Sequence, residues 1–521
     1  MSVINSISPM MGASGASSSG FVIEGSGLFD GSSGYLSRTF TSEANHSGSF
    51  LIKHSELGTA QDILGTTIGF NASDQLVISG LTSTAVFRDP SAWMHLFWNN
   101  VGAYINGTLV TGTGTYATVA LVNPKIGGST NFFGSYMALA AFGDNQSWTL
   151  GQAGETTDDG FWSILTHSFV SAGTDTFLIK GGTDMAAGTD SSGNSNNFTK
   201  TGTITATNDS PTNDADNDYG NYATLDPNNA DSLWTFSEGN KRVAISSSTS
   251  GDNTRSTINM SSGKWYWEIL VTDSGGSGDV EVGICLPNTV RSVADGNQGL
   301  GSSLAATGRS YHSEVGSTYF NGTGASYGDA YTDGDVIGVA LDLDNGNLFF
   351  SKNDTWQNSA TSGEIEAGTG TNAAYTGLTD TYHAAVACSA AGARSCDMTM
   401  RFDHTDVTGT VPSGFSSLST ANLPTPAVTT PTTSPSFIGN ANADGPFLNL
   451  GAAPDVSGTS TINGNTITWG THARAAAAGV KIITASTSYN STGTNTISID
   501  LLTETEGGPL TDGGVNQGRA K

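Results

Sequence analysis

No stretch of this chain carries a sustained helical repeat. Its apolar residues fall instead in short runs, such as SGSFLIKHS, QLVISGL, AWMHLFWNN and GKWYWEILV, each bounded by Gly, Ser, Thr, Asn or Asp. Short runs of this kind with turn residues at both ends read as strands, and a series of them reads as sandwiches or barrels. The 68 Gly and 36% hydrophobic content of the 521 residues fit a chain that is rich in turns yet can still build cores from clustered runs. The expectation is an all-β protein made of consecutive β-sandwich domains.

Turn chemistry and composition divide the chain. Residues 1–26 are small and polar and read as an N-terminal arm or attachment peptide. A first strand-rich block spans 27–189, and its sharpest local signal is Tyr104-Ile105-Asn106-Gly107-Thr108-Leu109, an Asn-Gly hairpin of the type I′ kind. Residues 190–232, from DSSGNSNNFT through DADNDYGNYATL, read as an acidic Asn/Asp-rich linker. A second block spans 233–409 and repeats the hairpin signal at Asn345-Gly346 within VALDLDNGNLFF. Residues 410–436 read as a Pro/Thr-rich spacer, since Pro fixes φ and removes a donor. Residues 437–521 form a small β-rich C-terminal domain, in which only HARAAAAGVKII suggests a short helix.

Charge narrows the partners. Charged residues are 12% of the chain, yet the net charge is −27, the opposite of what nucleic acid phosphates or an anionic membrane surface attract. No apolar run is long enough to span a bilayer, and the N-terminus lacks the basic and apolar regions of a secretory signal. The three cysteines, Cys285, Cys388 and Cys396, are too sparse for a disulfide framework. Cys388 and Cys396 are close enough in sequence to be strand neighbours, but the reading adopted is buried, inert thiols in a reducing cytosol.

GKWYWEILV (Gly263–Val271), VEVGIC (Val280–Cys285) and GDVIGVALDLDNGNLFFSKNDTW (Gly334–Trp356) together resemble a SPRY domain. That resemblance implies a bent β-sandwich that binds partners through its loops. The first block, through FLIKHSELGTAQDILG, RDPSAWMHLFWNN and YINGTLV, resembles the laminin-G or concanavalin-like lectin sandwich. The succession of such a block, a DSSGN segment and a SPRY-like domain ending in VPSGFSSLSTANLPTP resembles an arrangement found in tailed-bacteriophage structural proteins. It implies a virion protein made in the bacterial cytoplasm, either a tail fibre or receptor-binding protein that recognises a host-surface glycan or protein. Such a fibre would be a homotrimer contacting other virion proteins. A capsid decoration or head fibre, and a depolymerising tailspike, are the alternatives.

Chemical motifs fail on context. Gly324-Ala325-Ser326-Tyr327-Gly328 matches G-x-S-x-G, but the next residues, DAYTDGDVIGVAL, read as strand where a nucleophile elbow needs a helix. Asp214, Asp216 and Asp218 alternate as in a calcium loop, yet position twelve is Leu225 where a bidentate Glu belongs. They read as solvated linker, and calcium is left open elsewhere in the first block with no ligand assigned. The eight His are scattered, and Glu268 and Glu281 lie on strands with no sign that they face one another across a cleft. No enzyme, cofactor or metal site is expected. Trp93, Trp265 and Trp267 read as core. The binding candidates are Tyr311, Tyr319, Tyr327, Tyr331 and Trp356, whose rings in or beside loops would stack on sugars.

Overall fold

The structure, a computed structural model, describes residues 22–40, 46–117, 119, 121, 123–156, 162–165, 173–230, 233–248, 252–275, 280–289, 299–301, 307–388 and 394–423, with short strands between 456 and 505. It is all-β. Most of the expected N-terminal arm and the 424–436 part of the expected spacer lie outside the described residues.

The first block folds as two packed antiparallel sheets of eight strands each. His46–Lys53 lies between Trp93–Trp98 and Tyr136–Asp144 in one sheet. Alternate residues explain its burial on both faces: Phe50 and Ile52 join Trp98, Phe142, Ile63 and Leu76 between the sheets, while Leu51 joins Trp93, Phe97 and Tyr136 on the outer side. The Asn106-Gly107 hairpin is present, with both residues at positive φ (46° and 76°) and Ile105 paired to Thr108.

The Asn/Asp-rich segment after this block is built into it. Thr199–Thr201 pairs with Tyr35–Ser37, and Ile204–Thr207 pairs with Ser26–Phe29. Alternating Thr and Ile suit a strand as well as they suit a polar linker, so composition alone misses these edges. The DSSGN phrase is a hydrogen-bonded knot. Asp190 accepts from the backbone of Leu178, Ser192 and Asn196, and the Asn196 amide donates to the carbonyls of Thr174 and Thr176.

The second block is a sandwich of a seven-stranded and a six-stranded antiparallel sheet. Lys264–Asp273 runs between Val336–Asp342 and Arg394–Arg401 in the larger sheet. It points Trp265, Trp267, Ile269 and Val271 at Val282, Ile284, Tyr382 and Val386 of the smaller one. Asn345-Gly346 does not form the expected two-residue turn. Asp342 pairs with Asn347, and the Asp342 carboxylate accepts from both the backbone and the side-chain amide of Asn345, which makes a four-residue loop.

Cys388 and Cys396 are joined in a disulfide, correcting the expectation of inert thiols. Cys388 ends a strand of the six-stranded sheet and Cys396 lies on a strand of the seven-stranded sheet, so the bond ties the two layers across the core. Spacing along the chain does not reveal that facing geometry. Cys285 is a free, buried thiol that burial pushes up to about 11.

The two sandwiches belong to one compact unit. Lys53, fully buried, donates to Asp209 Oδ2 (2.8 Å), Asn221 Oδ1 (2.8 Å) and the Tyr222 carbonyl (3.0 Å), so all three ammonium protons are used. Around it, Tyr136 donates to the Gly239 carbonyl, the Asn240 amide to that of Ser55, and the Asn221 amide to that of Ser91. The described part of the expected spacer closes the joint. Leu418 is buried, the Ala223 amide donates to its carbonyl, and Ser419 bridges Tyr222.

In the separate C-terminal unit, His472–Ala476 and Gly479–Ser488 are paired strands. Of the short helix suggested around Ala475–Ala478, Ala475 and Ala476 are strand and the other two alanines lie outside the described residues; β-branched Val480, Ile482 and Ile483 favour the strand that follows.

Candidate binding surface

Of the five aromatic candidates, Tyr311, Tyr327 and Tyr331 lie in the core and offer no open ring face. Tyr311 stacks on Phe350 at 5.3 Å, the Phe350 amide donates to the Tyr327 hydroxyl, and Tyr331 donates to the Tyr311 carbonyl at 2.7 Å. Burial raises all three hydroxyls above the ordinary tyrosine range. The reason is local: Gly308–His312 is a strand whose Tyr311 points inward, and Tyr327 and Tyr331 fold back over it. Trp356 is half-buried, edge-on to Tyr266 at 6.3 Å on the outer side of the seven-stranded sheet. Tyr319 is also half-buried, 5.3 Å from His312.

Tyr319 lies on the hairpin that carries the exposed Phe320. Gly308–His312 pairs with Ser317–Phe320, which turns through Asn321 (φ 50°) and Gly322 (φ 71°) into the outermost strand, Thr323–Ser326. Opposite Tyr319 stands Gly324, where an added Cβ would lie 2.9 Å from the ring, so the glycine lets the tyrosine lie across the hairpin. Phe320 is exposed, with the Arg309 guanidinium 3.6 Å from its ring centroid, and Val315, 56% exposed, lies in the loop at the other end of the same hairpin. Exposed aromatic rings and arginines are enriched in protein-recognition patches. Val315, Arg309 and Phe320 were not among the residues singled out from sequence.

The places where chemistry was considered hold none of its geometry. Ser326 lies on the exposed edge strand, without the strained turn and following helix of an elbow. The Glu268 carboxylate accepts from Tyr266, Arg401, Gly409 and both donors of Thr408, and that of Glu281 accepts from Ser310 and the Gly301 amide. Both are buried and engaged with separate groups. Asp214 holds its own turn by accepting from Asn217, and Asp218 accepts from the distant Ser417. Among the described residues no group of His, Cys, Asp and Glu is arranged to hold a metal. Ser49 and His95 lie 2.7 Å apart, yet the Trp162 indole, a donor only, points at His95 Nδ1 from 2.8 Å. The proton is thereby placed on Nε2, so the ring donates to Ser49 and cannot act as its base.

Residues 264–376 match the SPRY domain family. The chain carries a SPRY domain. The sandwich around it is longer than the family match, with strands running from Thr235–Ser237 to Arg394–Arg401. SPRY domains are generally non-catalytic protein-interaction domains. Among solved structures, the SPRY domain of human HERC1 matches at 17% identity over 34% of this chain and 96% of that one, with a TM-score of 0.26. Stonustoxin matches at 20% over 34% of this chain and 27% of its own, with a TM-score of 0.25. A human SPRY domain matches at 17% over 32% and 94%, with a TM-score of 0.22. No curated protein matches the sequence.

Proposed function

We propose that this chain is a non-catalytic binding protein of a tailed-phage particle, a tail-fibre or receptor-binding protein. It recognises a host-surface protein through the Gly308–Ser326 face of its SPRY domain. The observation that carries the binding role is the exposed Phe320, with the Arg309 guanidinium over its ring. Burial of Tyr311, Tyr327 and Tyr331 removes three of the ring faces on which glycan stacking depended, which favours a protein receptor over a sugar. The place on a particle rests on the order of segments along the sequence, and a homotrimer docked to other virion proteins would multiply weak contacts into avidity.

Electron microscopy of particles labelled with antibody to this chain tests the location. Label at fibre tips supports the reading, and label confined to capsid faces replaces it with a decoration protein. Phe320→Ala tests the surface: adsorption of particles to host cells should fall while folding is kept, and unchanged adsorption would exclude this face.

A further inference from the structure

The six-stranded sheet of the SPRY domain ends differently at its two sides. On one side, Asp252–Met260 carries an irregularity between Arg255 and Asn259 and is covered by the preceding chain. The Thr257 amide donates to the Thr224 carbonyl at 2.7 Å, and the Asp226 amide to that of Arg255 at 2.9 Å. On the other side lies Thr323–Ser326, and all four of its residues are exposed.

The turn fixes which backbone groups are open. A two-residue loop at Asn321-Gly322 closes on Phe320 and Thr323 as a hydrogen-bonded pair. Alternation puts Thr318 and Ala325 in the same class, which turns the N–H and C=O of Gly324 and Ser326 away from the hairpin. Sheet edges are usually blunted by charge, proline, a bulge or a covering segment. This one is Thr-Gly-Ala-Ser, uncharged and small on both faces, with a regular register.

We infer that Thr323–Ser326 takes up an extended segment of a cationic partner protein as an added antiparallel strand. The inference deepens the binding role proposed above and rests on it. Backbone groups of Gly324 and Ser326 supply the hydrogen bonds, and Phe320 packs against an apolar side chain of the incoming strand. The exposed Glu314 and Asp329 stand at the Ser326 end of the hairpin, where Gly316 packs against Gly328 and Asp329, so the incoming segment carries Lys or Arg there. A second copy of this chain is a poorer occupant, because its own Thr323–Ser326 edge carries no Lys or Arg to meet Glu314 and Asp329.

The test uses the full chain and a fluorescent peptide of alternating valine and threonine ending in lysines, with a glutamate-ended counterpart. Fluorescence anisotropy should show binding of the lysine peptide, and hydrogen exchange should slow in 317–326 on its addition. Ser326→Pro removes one outward N–H and leaves the inner ladder; it should weaken binding about tenfold or more. Should that variant fail to fold, N-methylation of the peptide on its bonding edge should give the same loss with the native chain. Equal binding of the glutamate peptide, or no slowing in 317–326, overturns the inference. So does concentration-dependent self-association that Ser326→Pro abolishes, which would make a second copy the occupant. In particle adsorption, loss with Phe320→Ala but not with Ser326→Pro keeps the binding surface and rejects strand addition, whereas no loss with either rejects both.

Discussion

Lys53 Nζ lies 2.8 Å from Asp209 Oδ2, with both groups buried where the two sandwiches meet. A buried ion pair contributes little relative to a well-packed apolar pair, but breaking it from one side strands a charge. Lys53→Met is expected to destabilise the protein by about 3–5 kcal/mol, and adding Asp209→Asn should recover much of that loss. Urea unfolding checks both. The native chain should lose its two sandwiches in one transition, and Lys53→Met should separate them.

The disulfide between Cys388 and Cys396 closes a sequence separation of eight residues. Loop closure of that size accounts for about 2–3 kcal/mol. Thermal melts of the native chain with reductant should therefore fall toward those of Cys388→Ala/Cys396→Ala, which should not respond to reductant. Alkylation under denaturing, non-reducing conditions should modify Cys285 alone.

His383 donates from Nδ1 to the Ser256 carbonyl at 2.7 Å, and burial, helped by nearby Arg255, lowers its pKa to about 4. The folded state thus binds this proton more weakly than the unfolded state does. The stability tied to the neutral ring is complete above about 6.5, falls as pH drops toward 4, and amounts to at most roughly 3 kcal/mol. Buried carboxylates such as Asp226 and Asp403 are shifted upward and act in the opposite sense. The comparison is therefore with His383→Asn, whose stability should decline less across that interval.

Gly322 holds φ at 71° in the turn that shapes the candidate surface. Gly322→Ala should cost about 1–2 kcal/mol by forcing a side chain into the left-handed region. Hydrogen exchange should rise in 317–326 and stay unchanged in the first sandwich.

Three Asn-Gly pairs show how far the sequence could be read. At 106–107 alternating apolar neighbours give the turn away. At 345–346 the same dipeptide misleads, because Asp342 captures the Asn345 side chain and lengthens the loop. At 321–322 the pair does form a two-residue turn, but the strand after it contains no large apolar residue to mark it. The SPRY core was legible because its long apolar runs carry their own alternation. The joint was not. Lys53 sits in FLIKHS with nothing nearby to indicate that its partner Asp209 is 156 residues away. The tyrosines failed for a related reason: a turn-rich sequence looks like loop even where the chain folds back over a core.

The filled joint has a mechanical consequence. Asn221, Tyr222 and Ser419 tie the chain around Lys53 where the sandwiches meet. A tug received at the outer hairpin would therefore load the Lys53 contacts, which stand between it and the first sandwich.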